Sequence, residues 1–306
     1  MRSPARIFAL LLGVLLLGGI FVLAQENIFR MDVRLVRLLV TVKDSAGGLV
    51  GSLNKQDFTV LDDGVPQTVS VFERRTEQPL SIAVMVDTSG STAKDLRYEL
   101  DSVSRFLHAL LREGNPEDAA ALYSFNWQVT LQAAFTRRIN QLEYLLRRLH
   151  SEGGTSLYDA VYLASRSTEG REGRHVLVVV TDGGDTTSDI DFNGALEAAQ
   201  LAETIIYPIL VIPITNDAGR NTGGEHALTT IAQRTGGRVF APNLGPSLDA
   251  AFDEILRELR TQYYLGFYPQ NVPPTKNRFH MIAVKVSRPG LHVFTRSGYY
   301  GEASGQ

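Results

Sequence analysis

The chain has 306 residues, of which 44% are hydrophobic and 21% charged, with a formal charge of −3: a globular make-up and not that of a disordered tail. No basic stripe with interleaved aromatic residues runs through it, so nucleic acid is excluded as the expected partner. Cysteine is absent, which rules out disulfides, thiolate metal centres and thiol nucleophiles.

Arg2 and Arg6 precede an apolar run from Ile7 to Leu23, and Val22-Leu23-Ala24 sets small residues just before Gln25. This layout predicts a secretory signal peptide over 1–24, cleaved after Ala24. The alternative is an uncleaved membrane anchor, because the run of 17 residues reaches the lower limit for a bilayer span. Either way the bulk of the chain is expected to be exported, to a periplasmic, cell-envelope or secreted location.

Residues 25–78 read as a β segment. Val36, Leu38, Val40 and Val42 alternate with Arg37, Thr41 and Lys43, the pattern of a half-buried strand. Asp44-Ser45-Ala46-Gly47-Gly48 supplies a turn. Phe58 and Val60 mark a second strand, Asp62-Asp63-Gly64 signals a hairpin, and Val69 and Val71 mark a third strand. From Pro79 strands alternate with helices. Leu80–Val86, Ala119–Phe125, Val176–Thr181 and Ile205–Ile212 are apolar runs, and Val129–Phe135 pairs with its predecessor across Asn126-Trp127. Helical spacing follows Thr92, and recurs over Ile139–Leu149, Leu157–Ser165, Phe192–Glu203, Leu228–Arg234 and Pro246–Arg260. The alternation predicts a doubly wound α/β domain over 79–262 with a mainly parallel sheet.

Residues 263–301 return to β: Tyr263–Tyr268 alternates, Ile282, Val284 and Val286 share a face, and His292–Tyr300 is strand-like. A short tail, 302–306, follows. The two flanking β segments are each too small to fold alone. They are therefore expected to pair into a smaller β-sandwich-like domain, with the α/β domain inserted between them.

Three segments carry the chemistry. Asp87-Thr88-Ser89-Gly90-Ser91 ends one apolar run, Gly153-Gly154-Thr155-Ser156 opens a helix, and Thr181-Asp182-Gly183 ends another run. Singly, each reads as a helix cap or a turn. Together they sit where strand ends of an open α/β sheet converge on a ligand. Asp87, Ser89, Ser91, Thr155 and Asp182 offer only oxygen, which favours a hard divalent cation, Mg²⁺ with Mn²⁺ or Ca²⁺ as alternatives. Two carboxylates and three hydroxyls leave such an ion short of negative charge and open to a further carboxylate.

These segments resemble the metal-ion-dependent adhesion site of a von Willebrand factor type A domain, and the resemblance extends over roughly 79–262. In that family the two serines and the threonine coordinate the metal, and the aspartates bind directly or through water. Those roles would fall here to Ser89, Ser91, Thr155, Asp87 and Asp182. The resemblance implies an exported, metal-dependent binding module that takes an acidic side chain of a partner protein, touching a membrane only through an uncleaved anchor. The alternatives are a metal-dependent hydrolase of phosphate or ester bonds, and a structural envelope protein stabilised by its metal. Neither a Gly-x-Ser-x-Gly elbow nor a phosphate loop is present, and no general base stands near Ser89 in the motif, so no catalytic residue is assigned.

Asp185, Ser188, Asp189 and Asp191 read as a solvated loop capping the next helix in preference to a second cation site. Asp62-Asp63-Gly64 reads as a turn and not a calcium loop, and the six histidines as structural or surface residues. Trp127 either faces the metal side or packs.

Overall fold

The computed structural model describes residues 35–74, 77–211, 222–242, 246–273, 275 and 278–301. The signal-peptide expectation over 1–24 and the tail at 302–306 lie outside the described residues.

In chain order, the first strands are β1 (Val36–Asp44), β2 (Phe58–Asp62), β3 (Val65–Gln67) and β4 (Val69–Glu73). The turn between β2 and β3 places Asp63 at φ 47° and Gly64 at φ 83°, the doubly left-handed arrangement of a tight hairpin. The hairpin's return arm, β3, adds a strand to the three expected. It lies at a sheet edge, where Pro66 forfeits no ladder bond.

The α/β part follows: β5 (Leu80–Asp87), α1 (Leu96–Glu113), β6 (Ala119–Phe125), β7 (Val129–Thr136), α2 (Ile139–Leu146), α3 (Leu157–Thr168), β8 (Arg174–Thr181), α4 (Phe192–Leu201), β9 (Thr204–Leu210), α5 (Thr222–Thr235) and α6 (Pro246–Thr261). The sheet order is β7-β6-β5-β8-β9, with β7 antiparallel and the other neighbours parallel. All eight residues of β5 are buried, as a strand covered on both faces requires. Val84, Val86 and Val178 pack on one face with Phe106 of α1 and Phe252 of α6. Met85 and Val179 pack on the other with Val161 of α3, Ala199 of α4 and Ile231 of α5. Arg238-Val239-Phe240 adds a single parallel bridge, Phe240 to Ile209.

The helix after the Asp87–Ser91 loop begins later than its apolar spacing predicts. Residues Gly90–Lys94 form a tighter 3₁₀ turn, and the α-helix starts at Leu96. Thr92 Oγ1 donates to the Ser89 carbonyl at 2.9 Å, so its hydroxyl holds the loop in place of capping a helix.

The C-terminal strands are β10 (Tyr263–Phe267), β11 (Phe279–Val286), β12 (Leu291–Phe294) and β13 (Gly298–Tyr300). They interleave with the N-terminal ones as two four-stranded sheets, β12-β1-β10-β4 and β13-β11-β2-β3. Leu38, Val40, Phe58, Val60, Tyr263, Leu265 and Phe267 share the core between them. The run His292–Tyr300 is therefore two strands in two sheets. Between them the Ser297 N–H donates to the Arg234 carbonyl at 3.0 Å, a bond to the end of α5 that takes the chain out of the first sheet.

β1 also departs from the half-buried pattern. Thr41 and Lys43 are buried, because the outer face of this strand meets α6. Lys43 Nζ lies 2.5 Å from Glu258 Oε1 and 3.1 Å from Glu254 Oε1, and Arg238 Nε lies 2.7 Å from Glu258 Oε1. A lysine among alternating valines reads as solvated until the helix opposite supplies its carboxylates.

Candidate metal centre

β5 stands between β6 and β8, and chain order runs from β5 to one side and then crosses to the other. The carboxyl ends of β5 and β8 therefore open on the same crevice. The loops that meet there are bonded to one another through their backbones. The Gly90 N–H donates to the Gly153 carbonyl at 3.0 Å, and the Glu152 N–H to the Thr88 carbonyl at 2.9 Å. The Thr186 and Thr187 N–H groups donate to the Thr155 carbonyl at 2.8 and 3.1 Å, and Thr155 N–H to Thr186 Oγ1 at 2.8 Å. The three segments singled out in the sequence thus form one connected platform.

Within it, Asp87 is buried with both carboxylate oxygens engaged. Oδ1 accepts the Ser89 N–H at 2.9 Å, and Oδ2 accepts the Thr181 hydroxyl at 2.6 Å. Burial pushes its carboxyl up to about 6, against the pull of the Thr181 and Ser89 hydrogen bonds, and the Asp182 charge adds to the rise. Ser89 Oγ and Ser91 Oγ are 3.0 Å apart, with Ser89 buried and Ser91 exposed. That separation is close to the edge, about 2.9 Å, of an octahedron whose Mg–O bonds are about 2.0–2.1 Å. Thr155 is buried and Asp182 half-buried. The donor set is all oxygen, and the two hydroxyls are already spaced as neighbouring ligands, so the residues present fit a hard divalent cation.

Glu99 was not read as part of the site. It lies in the first turn of α1, only 1% exposed, with Oε2 lacking a hydrogen-bond partner. Burial drives its carboxyl up to about 8, and the charges of Asp87, Asp182 and Asp95 add to the rise. The signal was present in the sequence: Glu99 stands three residues after Leu96 and four before Val103, on the apolar stripe of the helix. Thr181, which orients Asp87, and Thr186, which orients Thr155, were likewise passed over as strand and loop residues.

Trp127 is 57% exposed. Gly153 sits at φ 73°, and a Cβ there would overlap the indole Cδ1 of Trp127, so the ring lies against the loop that carries Thr155. In the acidic loop, Asp191 caps α4 by accepting the Gly194 N–H at 2.8 Å. Asp185 accepts the Tyr158 N–H at 3.2 Å. Asp159 of α3 accepts the Ile190 N–H at 2.8 Å. These bonds brace the loop after Asp182 against α3 and α4.

No curated protein matches the chain. Among solved structures, the vWF domain of the type V pili tip protein Mfa5 from Porphyromonas gingivalis is similar at 15% identity, covering 59% of this chain and 94% of that one with a TM-score of 0.50. BatB from Bacteroides thetaiotaomicron is similar at 21% identity over 59% of this chain and 98% of that one, with a TM-score of 0.45. An aerotolerance-related membrane protein from Bacteroides fragilis stands at 20% identity over 59% and 98%, with a TM-score of 0.45. The family-wide sequence pattern of the von Willebrand factor type A domain matches residues 81–254, more than half of the chain, over the sheet and loops just described. This chain belongs to the von Willebrand factor type A domain family.

Proposed function

We propose that this protein is an exported module that holds a partner protein through a divalent cation. Asp87, Ser89, Ser91, Thr155 and Asp182 would hold the ion, Mg²⁺ ahead of Mn²⁺ or Ca²⁺, and an acidic side chain of the partner would complete its coordination. The observation that carries this reading is the pair of hydroxyls, Ser89 and Ser91, at ligand spacing beside the buried Asp87 on three mutually bonded loops.

The chain's own residues have separable tasks. Thr181 and the Ser89 N–H orient Asp87, while Thr186 and Thr187 fix the Thr155 backbone. Trp127 offers a flat apolar face beside the ion for the partner to cover. Two histidines are engaged away from the carboxyl ends of β5 and β8. His108 meets Glu143 at 2.7 Å, and His175 is held between the Ala202 and Arg171 carbonyls at 2.7 and 2.9 Å. Export rests on the 1–24 segment, with cleavage after Ala24 leaving a mature chain from Gln25.

Calorimetric titration of Mg²⁺ and Mn²⁺ into mature 25–306, beside the Ser89→Ala/Ser91→Ala double variant, tests the reading. Saturable binding that the variant loses is the expected result. Absence of binding to the folded wild type, even with a simple carboxylate added to stand in for the partner's acid, sinks it.

A further inference from the structure

Away from the strand ends, the β-sandwich carries a second constellation that the turn reading of Asp62-Asp63-Gly64 left unused. β11 pairs with β2 so that Ile282 faces Asp62, and with β13 so that His280 faces Tyr299. This registration brings His280 over the hairpin tip. Its Nδ1 lies 3.0 Å from Asp63 Oδ2 and 3.4 Å from Asp62 Oδ1. Asp62 is wholly buried, and its Oδ1 has no hydrogen-bond partner; the same holds for Asp63 Oδ2 and His280 Nδ1 among the described residues. Three donor atoms converge, with the imidazole nitrogen within ion-pairing distance of both oxygens.

The other oxygen of each carboxylate is held by a separate group. Tyr299 Oη donates to Asp62 Oδ2 at 2.7 Å, and the Met281 N–H donates to Asp63 Oδ1 at 2.9 Å. The imidazole stacks on the Tyr299 ring with centroids 5.0 Å apart and planes 16° from parallel. Each ligand candidate is thus oriented by a partner that leaves one lone pair free, as metal-binding side chains generally are.

We propose that Asp62, Asp63 and His280 form a binding site for a divalent cation of the zinc class. The spacing supports it: ligands bonded at about 2.0–2.1 Å to one ion stand about 2.9 Å apart in octahedral and about 3.3 Å apart in tetrahedral geometry. The donor set selects the metal, because imidazole nitrogen favours zinc over magnesium or calcium. Two carboxylates and a neutral imidazole balance the charge of a divalent ion at a buried position. Asp63 and His280 are partly exposed, so water can supply the remaining ligand. The ion would tie the β2–β3 hairpin to β11, and through Tyr299 to β13. This site stands on separate observations and does not depend on the cation at Asp87.

The test is a titration of Zn²⁺ into chelator-stripped mature protein under saturating Mg²⁺, with melting temperature followed in parallel. One zinc equivalent should bind to the wild type and to Ser89→Ala/Ser91→Ala, and should raise the melting temperature of both. His280→Gln should bind on the order of 100-fold or more weaker, beyond the 10–100-fold typical of losing an orienting partner. Should His280→Gln fail to fold by circular dichroism, Asp63→Asn on the partly exposed hairpin tip serves instead, with the same expectation. The proposal is overturned if the folded wild type takes up no zinc. It is equally overturned if binding survives in the His280 or Asp63 variant, or disappears only in the serine double variant. An ordinary imidazolium–carboxylate ion pair would give the first of these outcomes.

Discussion

At Asp87 and Glu99, burial and mutual repulsion set a cost that the cation-free protein carries as protons. The Asp87 carboxyl is raised from 3.8 to about 6 and Glu99 from 4.5 to about 8. A raised carboxyl keeps its proton in the folded state after the unfolded chain has released it. Stability is therefore greatest below the unfolded values and is lost as pH rises through the folded ones. In EDTA, denaturant melts should show stability falling across both windows, with Glu99 alone of this pair contributing between about pH 6 and about pH 8. Glu99→Gln should flatten that upper window by as much as about 1.4 kcal/mol per pH unit; a variant as steep as wild type would remove Glu99 from the balance. Gly153 gives a second residue-scale expectation. Gly153→Ala imposes a left-handed conformation costing about 1–2 kcal/mol and drives a methyl into the Trp127 ring. Trp127 is the chain's one tryptophan, so its emission should shift in the variant, with weakened Mg²⁺ binding if the second loop moves.

The pairing of β1 with α6 turns on Lys43. It joins Glu254 and Glu258 of the helix while Arg238 holds the same carboxylates from the far side. Orphaning a buried charge costs roughly 3–5 kcal/mol, but Arg238 remains, so Lys43→Ala should cost less, on the order of 2 kcal/mol. Lys43→Met, which keeps the packing of the stem, should cost less still; equal losses would show that charge and not packing dominates. The elements of the α/β part were legible because fully buried strands are unbroken apolar runs and their helices repeat at helical spacing. The loops around Asp87, Thr155 and Asp182 were legible because each is contiguous in sequence and ends or opens an element. What was not legible depends on neighbours distant in the chain. Lys43 reads as solvated without α6, His292–Tyr300 reads as one strand without the bend held by Arg234, and His280 reads as a lone histidine until β11 is registered against β2. Glu99 is the exception, a local pattern read as an apolar stripe without its acid.

For the molecule as a whole, the two ends of the chain complete one sandwich. β10 lies between β1 and β4, so deletion of residues 263–301 removes the strand that joins them and exposes Leu38 and Val40. A 25–262 fragment should therefore aggregate or lose its N-terminal strands to protease, whereas a soluble, protease-resistant 25–262 would show that the N-terminal segment does not need the tail. The junction between the parts is short. α6 ends at Thr261, β10 begins at Tyr263, and the buried Gln262 between them donates from Nε2 to Thr41 Oγ1 at 3.3 Å. One extended residue reaches at most about 3.3–3.6 Å, less than the 5.4 Å pitch of a helical turn. The last helix is thus tethered with almost no slack, and any travel of it tugs the strand that holds the sandwich sheet together. Under tension between the chain's two ends, the sandwich and the α/β part should yield in concert, and single-molecule stretching should record one rupture where two loosely strung domains would give a pair.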